Sequence, residues 1–172
     1  MKPSLLSLLV LFSFFTSLTT AKFLLDSQGE PIVNGASYYI HSPITPGPGG
    51  LDLAKTGNET CPHSVVQRPS SIFPDYGKVL SYVPVPSRWT IVEGEDGMKS
   101  MKVSGGYEKT LRGSFRIQPH TLFTYKIVFC PINGDSCRDL GIARGNDGNS
   151  LLVITGDYPL IAIFIKAKSS CT

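Results

Sequence analysis

The chain has 172 residues, 41% of them hydrophobic, with 16 Lys and Arg against 13 Asp and Glu for a formal charge of +3. That balance, with no basic cluster, argues against nucleic acid as a partner. Seventeen glycines and thirteen prolines spread along the chain leave few windows long enough for a stable helix, yet the length suffices for one domain with a real core.

Residues 1–21 read as a secretory leader. Lys2 gives a short positive region, "LLSLLVLFSFF" (Leu5 to Phe15) an apolar core, and "TTA" (Thr19 to Ala21) the small residues a signal peptidase reads. A mature domain of residues 22–172 follows, expected to be secreted, either extracellular or vacuolar. The longest later apolar run, "PLIAIFI" (Pro159 to Ile165), is strand-length rather than the ~20 residues of a membrane span. All four cysteines lie in this part, where an oxidising compartment favours disulfides.

Short β-branched and aromatic runs then recur. "SYYI" (Ser37 to Ile40) comes first, followed by "HSPITPGPGGLDL" (His41 to Leu53), which reads as a long surface loop because no lysine sits at phosphate-loop spacing and no helix follows. "NET" (Asn58 to Thr60) is an N-glycosylation acceptor. The later runs are "TIVE" (Thr90 to Glu93), "SFRIQ" (Ser114 to Gln118), "YKIVF" (Tyr125 to Phe129), "LLVIT" (Leu151 to Thr155) and "LIAIFIK" (Leu160 to Lys166). "FRIQ" alternates as a half-buried strand, whereas "LIAIFI" is apolar enough for burial on both sides. Turn signals separate them: Asn34-Gly35, Asn133-Gly134 and "GNDGN" (Gly145 to Asn149), which need positive φ or an Asx turn, and the pairs Arg112-Gly113 and Arg144-Gly145. The pattern predicts an all-β barrel or sandwich.

Catalytic chemistry finds no support. His41, His63 and His120 sit in loop-like polar contexts, and no Ser-His-Asp order, paired-carboxylate motif or nucleophile elbow joins them. The six residues between Cys130 and Cys137 fit no common zinc spacing. Neither an enzyme nor a cofactor or metal site is expected.

"LLDSQGEPIVNGASYYI" (Leu24 to Ile40) resembles the N-terminal signature of the plant Kunitz-type protease inhibitors, the soybean trypsin inhibitor family. Leu24, Asp26, Gly29, Ile32, Tyr38 and Ile40 fill its key places. "TGNETCPHSVVQ" (Thr56 to Gln67), "YKIVFCP" (Tyr125 to Pro131), "DLGI" (Asp139 to Ile142) and "LLVITGDYPLIAIFIK" (Leu151 to Lys166) match in order. The resemblance implies a β-trefoil: twelve strands in three similar units, six forming a short barrel and six closing one end. It implies a monomeric inhibitor whose convex loop enters a trypsin-like or chymotrypsin-like serine endopeptidase as a substrate would. The P1 side chain fills the S1 pocket, and pre-organisation limits the entropy lost on docking. An asparagine that braces the loop from behind corresponds to Asn34, although a turn with Gly35 also explains an Asn there. The resemblance also implies a Cys130–Cys137 disulfide.

The chain departs from the family in its middle. Counted from Cys61, the inhibitory loop falls on Val83, Pro84, Val85, Pro86, Ser87 and Arg88, with Trp89 behind Arg88 as P1. Matched by content, "RWTIVE" is instead a later strand of the family, and no cysteine lies between Cys61 and Cys130. The favoured reading is a join: an incomplete second unit, with the first running almost directly into the third. Cys61 then lacks its family partner, leaving either a bond to Cys171 or a free or intermolecular thiol. Three functions stand: a serine endopeptidase inhibitor weakened by that loss, a non-inhibitory relative in storage or defence, and a carbohydrate-binding β-trefoil.

Overall fold

The computed structural model describes residues 23–33, 35–44, 47–61, 63–69, 89–103, 106–134 and 136–167. The leader expected at 1–21 lies outside them. Among the described residues there are eleven strands and no helix: β1 (Tyr38–His41), β2 (Leu51–Ala54), β3 (Ser64–Gln67), β4 (Trp89–Glu93), β5 (Lys99–Val103), β6 (Thr110–Leu111), β7 (Gly113–Thr121), β8 (Thr124–Pro131), β9 (Arg138–Arg144), β10 (Ser150–Ile154) and β11 (Ile161–Lys166).

All pairings are antiparallel; most fall into two sets, which β8–β9 links through Val128–Asp139 and Phe129–Arg138, while β6 pairs with β4. β2–β3, β4–β5 and β9–β10 are hairpins, and their second strands touch one another: Leu151 opposite Val66, Val153 opposite Ser100, Ser64 opposite Lys102. Three hairpins meeting around one axis form the cap of a β-trefoil, one from each unit; β4–β5 is therefore the second unit's hairpin, and the first unit runs into an incomplete second unit rather than directly into the third. The other set is a wall in the order β1, β11, β8, β7, in which the first strand pairs with the last from Tyr38–Lys166 to His41–Ile163. The trefoil therefore replaces the sandwich alternative. Among the described residues four strands of its barrel are present, and the outer edges of β1 and β7 have no strand partner.

The core lies between wall and cap. Val65, Ile91, Met101, Ile127, Leu140, Leu152 and Ala162 are fully buried, together with Phe129 and Phe164. Each strand sends alternate residues into it. β11 alternates half-buried with buried side chains, so it has one buried face and not two. A smaller cluster of Val66, Leu151 and Val153, flanked by Ala54, Met98 and Ala143, lies on the other face of the cap.

Asp26 ties the N-terminal segment down. Its side chain is fully buried, and Oδ1 accepts the amides of Gln28 at 2.8 Å and Glu30 at 3.0 Å. The Ser27 amide donates to the Phe164 carbonyl at 2.8 Å, so this turn is stitched to the last strand.

Several turn and loop expectations need correction. Residues 51–53 of the Gly/Pro-rich stretch form most of β2, because Leu51 is buried and the strand pairs with β3 along its length. Arg112-Gly113 is no turn. Gly113 starts β7, where a Cβ would come within 2.4 Å of the Phe129 ring and 2.5 Å of the Cys130 carbonyl oxygen. Asn133-Gly134 turns without positive φ, closing through the Gly134 amide to the Pro131 carbonyl at 3.4 Å. His41 and His120 belong to strands, and the His63 ring bonds the Val103 carbonyl at 3.0 Å.

Candidate functional site

The segment Val83, Pro84, Val85, Pro86, Ser87 and Arg88 lies outside the described residues, as does Asn34. Its boundary is defined. Trp89 opens β4, pairs with Val103, and is half-buried. Its indole stands edge-on to Phe115 of β7, with centroids 5.6 Å apart and planes at 87°. Phe115 in turn packs on buried Phe129 at 5.2 Å. The residue after Arg88 is thus a packed sheet residue that bridges cap and wall. Beside Asn34, Gly35 takes a φ of 86°, as the turn reading requires, and the Val33 amide donates to Tyr38 Oη at 3.0 Å.

Cys130 and Cys137 form a disulfide across the β8–β9 connection. Among the described residues Cys61 is exposed and has no disulfide partner; Cys171 lies outside them.

The cap holds an electrostatic cluster that pattern reading missed. Lys102 of β5 donates to Glu59 Oε1, to Ser64 Oγ at 2.8 Å and to Thr56 Oγ1 at 3.4 Å. The Thr56 amide donates to Glu59 Oε2 at 3.1 Å, and the Lys102 ammonium lies 5.4 Å from the centre of the Tyr107 ring. Both charged side chains are nearly buried, 13% and 9% exposed, so the pair is screened far less than a surface one. Burial raises the Glu59 pKa, but the bonds from Lys102, the Thr56 amide and Ser64, with the Lys102 charge, outweigh it and leave it lowered. Burial, followed by the charge and hydrogen bond of Glu59, pushes Tyr107 up to about 12. Glu59 and Lys102 stand 43 positions apart, and no local signal links them.

A second missed feature was legible. "GEDGM" (Gly94 to Met98) and "GNDGN" (Gly145 to Asn149) share Gly-x-Asp-Gly and fold alike. In each the aspartate Oδ1 accepts the amide two residues on at 3.0 Å, and the second glycine takes positive φ, 75° at Gly97 and 82° at Gly148. These twin turns and the Thr56–Asn58 turn line one cleft of about 400 Å³ at the cap, with Met98, Lys102 and Leu151 among its other walls. Asn58 is exposed at this cleft.

Comparison with known proteins agrees with this architecture. A legume Kunitz family model, described as trypsin and protease inhibitor, matches residues 24–88 and again 75–166. Trypsin inhibitor DE-3 of Erythrina caffra is 36% identical over 171 residues, covering 86% of this chain and 99% of the relative. Since 86% of 172 residues is about 148, about two dozen of the 171 aligned positions have no counterpart here. Trypsin inhibitor A of Glycine max is 32% identical over 201 residues, covering 96% of this chain and 92% of the relative. Among solved structures, a chain of the porcine pancreatic trypsin/soybean trypsin inhibitor complex superposes with a TM-score of 0.71 at 31% identity, covering 86% of this chain and 100% of that one.

Proposed function

Because this chain belongs to the family of legume Kunitz-type trypsin and protease inhibitors, which are not enzymes, we propose that it is a secreted serine endopeptidase inhibitor with a shortened, weakened substrate-like loop. The observation that carries this reading is the pair of overlapping family matches. They share residues 75–88, so the segment that ends the first unit also begins the next. About two dozen positions of the DE-3 relative lack a counterpart here, which supports a shortened chain, and the overlap of the two matches ends at Arg88, the last residue of the expected loop Val83 to Arg88.

Arg88 is the P1 candidate, with a charge and length that suit an S1 pocket carrying an aspartate. Pro84 and Pro86 fix φ near −65° and reduce the freedom lost on docking. Trp89 as P1′ works against tight binding. Its backbone pairs with Val103 and its ring packs on Phe115, so the P1′ position is fixed in the sheet. Asn34 is the candidate brace. The charge at Lys2, the apolar run Leu5 to Phe15 and the small residues Thr19 to Ala21 support a secretory leader at 1–21.

The packing of Trp89 also favours a second reading, a non-inhibitory relative in storage or defence. Titration of trypsin, chymotrypsin and elastase with the purified chain separates the two. Weak inhibition of trypsin supports the first, and no inhibition of any of them supports the second.

A further inference from the structure

The glycosylation acceptor and the cap cleft occupy the same place in the fold. Asn58 is exposed and lines a cleft of about 400 Å³, within the ~300–1,000 Å³ range of small-ligand sites. The opposite walls are the twin turns, each contributing an aspartate, Asp96 and Asp147. Met98 and Leu151, members of the smaller apolar cluster, give the cleft an apolar surface. A pyranose matches that mixture: hydroxyl donors on its rim, and C–H groups and an N-acetyl methyl on its faces. We infer that this cleft is the seat of the chain's own N-glycan, the first N-acetylhexosamine on Asn58 Nδ2 packing between the turns with its hydroxyls donating to Asp96 and Asp147.

The attachment is ordinary group transfer from a lipid-diphosphate-linked oligosaccharide in the secretory pathway. The sugar C1–O bond to the carrier breaks, the C1–Nδ2 bond forms, the diphosphate leaves with the bonding pair, and Nδ2 gives up one proton. Lys102 donates to Glu59, Ser64 and Thr56, so recognition falls to the carboxylates. Each already accepts a backbone amide through Oδ1, Asp147 Oδ2 also accepts the Asn149 side-chain amide at 2.9 Å, and an ionised carboxylate keeps lone pairs for further donors. Hydrogen bonds from the Asn149 side chain and backbone hold Asp147 below its ordinary pKa, so it remains an acceptor in a mildly acidic compartment.

This inference rests on the secretory reading but not on protease inhibition. The test uses the full chain from a plant secretory host in three forms: the native glycoform, the glycoform trimmed by endoglycosidase to one sugar, and Asn58→Gln, with Thr60→Ala as a second glycan-free variant. Mass spectrometry reads occupancy and the N-terminus, and amide hydrogen exchange reads the turns. Both glycosylated forms should exchange the Met98 and Asn149 amides roughly fivefold more slowly than both glycan-free variants, the factor one net hydrogen bond supplies. An unmodified Asn58, equal exchange in all forms, or slowing lost on trimming to one sugar would each overturn the assignment. A mature chain that keeps Leu5 to Phe15 would sink the secretory reading itself, whereas an occupied but unprotected Asn58 sinks only the cleft.

Discussion

Trp89 stands edge-on to Phe115, 5.6 Å between ring centroids, and thereby joins the first residue of β4 in the cap to β7 in the barrel wall. An edge-to-face pair contributes beyond the area it buries. This packing converts the position after the candidate P1 residue from a loop contact into a structural one.

Replacing Trp89 by Ala should therefore destabilise the protein by ~3 kcal/mol, the lower end for a large aromatic because the indole is only half-buried. Trp89→Phe should restore most of that loss. Urea denaturation of the three proteins measures it. Unchanged stability in Trp89→Ala would return the residue to the loop.

The Lys102–Glu59 pair sets a pH dependence. A carboxylate whose folded pKa is lowered contributes stability that is fully present above its unfolded pKa and is lost as pH falls through the folded value. Glu59→Gln should remove this acid limb from the stability profile. Lys102→Met leaves a nearly buried carboxylate without its cation and should cost ~3 kcal/mol at neutral pH. Tyr107 acts at the other end. Its pKa is raised to about 12, so the stability it contributes is present below the unfolded phenol value near 10 and falls as pH rises toward 12. Tyr107→Phe should flatten that alkaline limb.

The two accessible cysteine states differ in kind. Without reduction, Cys61 should be alkylated in the folded protein, while Cys130 and Cys137 should appear linked in peptide maps. Replacing both bonded cysteines by Ala should cost ~2–3 kcal/mol, the chain-entropy value for so short a loop. A Cys61–Cys137 peptide would contradict the described pairing.

Gly141 in "DLGI" is required by packing. A Cβ there would meet the Tyr158 carbonyl oxygen at 2.2 Å and the Thr155 methyl at 2.5 Å. Gly141→Ala should lower stability by ~1–3 kcal/mol, with the loss read from thermal unfolding.

How much of this was legible depends on where each strand's burial comes from. β1, β4, β7, β8, β10 and β11 each carry a run of aromatic or β-branched residues, so local pattern reading finds them. β5 ("KSMKV") and β9 ("RDLGIAR") carry charges or a glycine at several positions. They are strands because Met101 and Leu140 enter the shared core of three hairpins, a tertiary cause invisible in a short window. Family resemblance supplied the trefoil, since an alternating pattern alone does not distinguish barrel from sandwich. At the candidate site, Trp89 was readable as a strand residue. The Glu59–Lys102 pair was not, because only the packing of β5 against β3 brings those positions together.

The most direct test of the inhibitor reading is the trypsin inhibition constant of the wild type against Arg88→Ala. The account predicts measurable but weak wild-type inhibition, and a further loss of at least ~2 kcal/mol, roughly thirtyfold, when the S1 anchor is removed. Equal inhibition by both proteins would exclude Arg88 as the anchor. No inhibition by either would contradict the inhibitor reading and leave a non-inhibitory member of the family.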